Sequence, residues 1–153
     1  MSKIEEWGNS TWYLFHVIAE KMTDDIFNNE KNNIISLIKT ICGILPCPDC
    51  TDHASKYLKT INFNYIKNSE DLKVFFLNFH NTVNIRKNKK IFTIEELDEK
   101  YKNQDLVQII LKFMDIFFVS HYNERLIMHN FNKKSKKTKI FNYLKLLNNK
   151  LVT

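Results

Sequence analysis

Cys47-Pro48-Asp49-Cys50 places two cysteines two residues apart, close enough for the sulfurs to close a disulfide or open to a dithiol. Pro48 suits the first turn of a helix. Unpaired backbone N–H groups at a helix start favour a thiolate and lower its pKa. Because the thiolate is the species that attacks a disulfide, the local physics points to redox exchange. Three other readings compete. The pair could be inert and buried. Cys47, Cys50 and His53 could form a C-x2-C-x2-H zinc site, with Cys42 or His80 as the fourth ligand. A thioredoxin-like motif needs a strand before it, and residues 33–45 read instead as a helix.

A second constellation lies downstream. Phe75, Phe76 and Phe79 supply apolar bulk and are followed by His80-Asn81-Thr82-Val83-Asn84-Ile85-Arg86-Lys87-Asn88-Lys89-Lys90. His80 and Asn84 are i, i+4 neighbours and share a helix face. Flat polar groups beside phenylalanines can grip a flat heteroaromatic ligand by stacking and hydrogen bonding. The cations that gather at the helix end could neutralise a diphosphate. Each feature alone has an ordinary explanation, since cations commonly complement a helix C-terminus. Their coincidence with a dithiol and an aromatic first helix has none.

The elements that must position these groups are helical. Apolar residues recur at helical spacing over 10–22, where Trp12, Phe15, His16 and Ala19 share a side. The same pattern covers 30–44, with Ile34, Ile38, Ile41 and Leu45 in register. Further helices are expected over 48–60, over 70–87 after an N-cap at Ser69, and up to about 102 after the capping box Thr93-Ile94-Glu95-Glu96. Residues 105–128 read as one helix or two, and 140–151 as a helical ending. The expected fold is all-α, a four-helix bundle with an additional short helix and a C-terminal helical or flexible extension. Residues 1–103 form the expected principal domain, 104–129 a helical segment packed on it, and 130–153 a basic tail.

Composition agrees. Only two glycines and two prolines occur in 153 residues, too few for the tight turns of a sheet protein. Gly8 and Gly43 stand too far apart for a glycine-rich phosphate loop. The formal net charge is +6, but residues 130–153 hold seven lysines and no acid, which leaves the body near neutral. Such a tail can hold nucleic acid loosely, although a solvated solubility face is the preferred reading. Lysine outnumbers arginine 21 to 2, which speaks against selection for phosphate forks. The chain opens on no secretory leader, and its longest apolar stretch, 106–120, is broken by Lys112 and Asp115. No membrane span is expected. A cytosolic home follows, where structural disulfides are rare and the three cysteines need another explanation.

Taken together, these residues resemble the Erv/ALR family of FAD-linked sulfhydryl oxidases, most nearly the short forms that large cytoplasmic DNA viruses encode. Three blocks match in order over about two-thirds of the chain. They are Trp7-Gly8-Asn9-Ser10-Thr11-Trp12-Tyr13-Leu14-Phe15-His16, Leu45-Pro46-Cys47-Pro48-Asp49-Cys50, and His80-Asn81-x-Val83-Asn84 with Arg86 and Lys89. The resemblance implies FAD within a four-helix bundle beside the dithiol. Cys50 would abut the isoalloxazine as the charge-transfer thiolate, and Cys47 would accept electrons from incoming thiols. Gly8, Thr11, Trp12, His16, His80, Asn81, Val83 and Asn84 would surround the flavin, with Arg86 and Lys89 at its phosphates. No metal is implied.

The same resemblance implies disulfide formation in a thiol-bearing protein substrate or relay protein, with oxygen reduced to hydrogen peroxide. It further implies a homodimer with the first two helices at the contact. The location it implies is the host cytoplasm at the virus factory, or the virion. Two positions depart from the family pattern: Asn9 stands where arginine is common, and Lys87 where leucine is. No second cysteine pair exists to act as a shuttle. Cys42 reads as a small buried residue of the second helix rather than a relay.

Overall fold

The computed structural model describes residues 3–118 and 127–152 of the chain, with side chains from residue 5 and, in the last helix, from residue 131. Among them lie seven α-helices: α1 (Lys3–Lys21), α2 (Asp24–Cys42), α3 (Pro48–Lys59), α4 (Ser69–Arg86), α5 (Ile94–Tyr101), α6 (Leu106–Phe117) and α7 (Ile127–Leu151). One 3₁₀ turn, Phe63–Tyr65, separates α3 from α4, and no strand occurs among the described residues. The expected helix over 105–128 ends at Phe117, and its stretch over 119–126 lies outside the described residues.

Local chemistry sets the helix boundaries. Thr23 caps α2 by accepting from the Ile26 N–H at 3.3 Å, so α2 begins six residues before the expected start. The N-cap of α4 is Asn68 rather than Ser69; its side chain accepts from the Asp71 N–H at 2.8 Å. Ser69 instead donates through both its N–H and its hydroxyl to Asp24 (3.0 and 2.7 Å), tying the starts of α2 and α4 together. The capping box at α5 forms as the sequence predicts, with Thr93 and Glu96 bonding reciprocally.

Packing follows from the apolar faces. α1 lies at the centre, touching α4, α5 and α6. Leu14, Phe15, Val17, Ile18 and Ala19 are all buried there. Phe15 stacks on Phe76 of α4 at 5.0 Å. α6 lays Leu106, Ile110, Phe113, Met114 and Phe117 inward, against α1. The lysine-rich ending is more ordered than a solvated tail. In α7, Ile140, Leu144 and Leu147 are buried, and Tyr143 donates its hydroxyl to buried Glu30 of α2 at 2.9 Å. Its other lysines remain exposed, but Lys133 is buried over the rings of Phe117 and Phe118. No helix of the described residues is long and apolar enough to cross a membrane.

Candidate active site: a dithiol beside two joined chambers

Cys47 is the N-cap of α3, and its Sγ accepts a hydrogen bond from the Cys50 N–H at 3.3 Å. The amide at the helix start is therefore directed at Cys47, which is half-buried. Cys50, one turn in, faces a cavity of about 170 Å³. Its thiol is pushed up to about 12, first by burial and then by Cys47 beside it; Lys87 and Arg86 pull the other way. Helix-start stabilisation of a thiolate, expected from the motif, is outweighed at Cys50 because burial costs its anion more than the nearby cations return. Cys42 is buried, lines the same cavity, and is likewise held near 12 by burial.

That first chamber is walled mostly by apolar groups from four segments. Trp7, Gly8, Thr11, Trp12 and Phe15 come from α1, Leu45 precedes the motif, and His53, Ala54 and Tyr57 follow it on α3. Phe79, Thr82, Val83 and Arg86 come from α4, and Lys87 is its C-cap. Thr11 donates its hydroxyl to the Trp7 carbonyl at 2.7 Å. Trp12 stands edge-on to Phe79 at 5.2 Å, and Tyr57 stacks on Phe79 at 4.8 Å.

A second chamber of about 250 Å³ shares Gly8, Trp12, Val83 and Lys87 with the first. Its remaining wall holds Lys89, Lys90 and Lys100 with His80, Asn84, Phe92 and Tyr101, against the single carboxylate of Glu5. Asn88 makes this chamber by turning the chain back at φ 57. Asparagine tolerates that left-handed conformation. The Lys89 N–H then reaches the Asn84 carbonyl at 2.8 Å. Asn84 donates to the Lys90 carbonyl at 3.0 Å, and Asn81 bonds both backbone groups of Phe92, at 2.8 and 2.9 Å. The two asparagines of the motif thus clamp the returning chain, and Asn81 lines neither chamber.

His80 stacks flat on Trp12, with centroids 4.1 Å apart and planes within 6°. Its Nδ1 meets His16 Nε2 at 2.9 Å, so one neutral ring donates and the other accepts. His16 lies behind, stacked on Tyr101 at 4.7 Å, and lines neither chamber. Burial chiefly, and then nearby charge, holds His16 well below the ordinary histidine range and brings His80 to about 3. This neutral pair supports the wall that Trp12 presents. Of the residues that the resemblance places around the cofactor, Gly8, Thr11, Trp12, Cys50, Val83 and Arg86 line the first chamber, and Gly8, Trp12, His80, Val83, Asn84 and Lys89 the second, as does Asn9, one of the two departures from the family pattern. Arg86 stands beside the dithiol, away from the lysine cluster. The zinc alternative finds no support in geometry: among the described residues no three His, Cys, Asp or Glu side chains gather as a metal set.

The donors suit FAD. The largely apolar chamber beside the inner sulfur suits a flat ring, and the lysine-lined chamber that shares four of its wall residues suits a diphosphate. Gly8 carries the clearest signal. It stands inside α1, where glycine costs about 0.5–1 kcal/mol relative to alanine, yet a Cβ there would meet no protein atom within 4 Å. Gly8 borders both chambers, so the space such a Cβ would take is ligand space.

Fold and site together define a helical protein whose dithiol stands beside chambers suited to a flat, phosphate-bearing ligand. Comparison with known proteins agrees: the model of the Erv1 / Alr family matches residues 9–102, and the chain belongs to that family. An FAD-linked sulfhydryl oxidase of African swine fever virus (isolate Warthog/Namibia) is 37% identical over 103 residues, 67% of this chain and 86% of its own. A relative from invertebrate iridescent virus 3 is 32% identical over 97 residues, and the match spans 63% of this chain and 66% of that protein. The FAD-linked sulfhydryl oxidase ERV1 of Arabidopsis thaliana is 26% identical over 97 residues, half of its length. No solved structure is matched. The protein is an FAD-dependent thiol oxidase.

Proposed function

We propose that the enzyme converts pairs of protein thiols into disulfides, with Cys47 receiving the substrate and oxygen as the final electron acceptor, released as hydrogen peroxide. The observation that carries this reading is the division of labour in the dithiol: both residues are half-buried, but Cys47 caps the helix mouth under an amide while Cys50 alone of the two lines the ligand chamber. A substrate thiolate attacks Cys47 Sγ of the Cys47–Cys50 disulfide, forming a mixed disulfide and releasing Cys50 as the thiolate. The second substrate thiol, deprotonated, attacks the substrate sulfur of that bond and frees Cys47. One substrate disulfide and one reduced Cys47/Cys50 pair result, so sulfur and electrons balance. Lys87 and Arg86 favour the Cys50 anion against the cost of burial. FAD, when bound, supplies the two-electron acceptor and the reactivity toward oxygen. Trp12, Val83 and Gly8 would hold its ring, and Lys87 and Lys89 its phosphates.

The viral relatives support a viral protein, and we place its work in the host cytoplasm at the virus factory, with carriage into the virion. There it would supply disulfides that the compartment otherwise lacks. A homodimer belongs to the same reading. α6 on α1 and α7 on α2 already cover part of the two helices at the implied contact, which narrows the surface left for a second copy. Sedimentation of the purified protein tests this. The activity itself is tested by an absorption spectrum and an oxygen electrode. A yellow protein that consumes oxygen with dithiothreitol supports it, and a colourless one that takes up no added flavin overturns it.

A further inference from the structure

The sequence offers His53 only as a zinc ligand, and no metal set forms around it among the described residues. Its position gives it other work. It lies three residues beyond Cys50 on α3, so the two share a helix face, and both line the first chamber. Yet His53 is exposed where Cys50 is half-buried. One residue thus borders both the chamber of the inner sulfur and bulk solvent. Among the described groups of that wall, no other can trade protons near neutral pH. α1 contributes no titratable side chain, α2 only the buried thiol of Cys42, and the end of α4 the cations Arg86 and Lys87. On α3, burial raises Tyr57 above the ordinary phenol range. Histidine is left as the side chain that ordinarily changes charge between pH 5 and 8. Asp49 and Lys56, exposed one turn to either side of His53, add one charge of each sign.

The inner sulfur needs a proton partner twice. Burial makes the Cys50 anion costly, and such a sulfur leaves a disulfide slowly unless a proton meets it. When the pair closes again, that proton must go before the sulfur can give up electrons. Resting on the reading of the chain as a thiol oxidase, we propose that His53 carries this proton between Cys50 and solvent, directly or across one water. As an imidazolium it protonates departing Cys50 while the Cys47–Cys50 bond breaks and Cys47 bonds to the substrate sulfur. As the neutral ring it later takes the proton back and passes it to water, while Cys47 loses its own at the helix mouth. The disulfide re-forms, and its two electrons leave to FAD and then to oxygen, which takes up two protons as hydrogen peroxide.

The first of these steps can be followed apart from turnover. Purified full chain, kept free of oxygen, is mixed with glutathione between pH 5 and 8.5. The initial loss of the Cys47–Cys50 disulfide is read by mass after an acid quench, and each rate is divided by the glutathione thiolate present. In wild type this rate should fall about tenfold or more as pH rises through the histidine range near 6.5. His53→Gln keeps a polar side chain that carries no proton, and it should be slow and flat throughout. His53→Glu should move the fall toward the carboxylate value of about 4.3, so that it outruns His53→Gln only at the acid end. Asp52→Asn, beside His53 but lining neither chamber, should match wild type. A His53→Gln profile that overlays wild type would overturn the assignment. Equal slowing at every pH, with the wild-type break retained, would overturn it too by showing a structural role. The thiol-oxidase reading fails separately, in wild type itself, if the protein takes up no flavin or consumes no oxygen with dithiothreitol.

Discussion

The two chambers that meet at Gly8 and Trp12 are built by opposite means. The one beside Cys50 is made almost wholly of helix faces, with side chains from α1, α3 and α4 at one-turn spacing and few polar groups. The one beside Lys89 depends on a chain reversal, held by a left-handed Asn88 and two asparagine clamps, and it concentrates charge. Helix faces are stiff and suit a reaction in which a sulfur must abut a ring. A clamped turn suits an anion, whose hold depends on charge more than on sub-ångström fit. The contrast predicts that damage to one chamber spares the function of the other.

The largest effect should come from the inner sulfur. Cys50→Ser should lower thiol-dependent oxygen consumption by on the order of a thousandfold while flavin remains bound; turnover near wild type would erase the distinction between the chambers. The histidine pair behind Trp12 should show itself in acid. His80 is neutral when folded, with a pKa of about 3 set by burial, Lys100 and Lys89. Its folded pKa lies below the unfolded value, so its contribution is whole above about pH 6.5 and is lost as pH falls toward 3. Between pH 6.5 and 5 that amounts to about 2 kcal/mol. Glu20 works with the opposite sign, because burial and Asp98 raise its carboxyl to about 7. The informative quantity is therefore the difference in acid sensitivity between wild type and His80→Gln, read from urea unfolding at both pH values. A variant as acid-sensitive as wild type would remove the histidines from the wall.

Smaller changes sharpen the contrast. Asn81→Ala cuts both bonds to the Phe92 backbone, and FAD affinity should fall about tenfold. Reduction of the Cys47–Cys50 disulfide by glutathione should keep its rate, since no clamp reaches α3. Gly8→Ala should split in sign. The flavin-free protein gains about 0.5–1 kcal/mol of stability from better helix propensity, and FAD affinity drops severalfold because the methyl enters ligand space. Stabilisation without loss of affinity would show that Gly8 borders nothing that binds.

Much of the fold was legible because its helices bury one regular stripe each. The starts of α1, α2 and α7 were placed seven, six and thirteen residues late. The opening turns of α1 and α2 carry adjacent acidic residues that interrupt the apolar periodicity, and in α7 the lysine cluster 133–139 interrupts it ahead of buried Ile140. In the site, the dithiol, Gly8, Trp12 and His80 could be read because each lies in a short local pattern. Phe92 and Lys100 could not, since they join the walls from separate elements that no spacing connects; Tyr57 shares α3 with the dithiol two turns from Cys50, a spacing that could have shown it. The asparagines were found but not their work. Asn81 and Asn84 act on chain that returns past them only because Asn88 turns it. His16 was expected beside the ligand and lies one layer behind, where Tyr101 from a distant segment covers it.

α3 begins at its dithiol instead of running through it, and this gives the two sulfurs different surroundings before any substrate is present. The outward one sits against an amide hydrogen, the inner one on the wall of the chamber, near Lys87 and Arg86. Run the same four residues at the far end of a helix and the outward sulfur would confront carbonyl oxygens, which repel a developing negative charge. The polarity of the polypeptide itself, from amino to carboxyl end, thereby eases departure of the outward sulfur as an anion when a mixed disulfide on it is resolved.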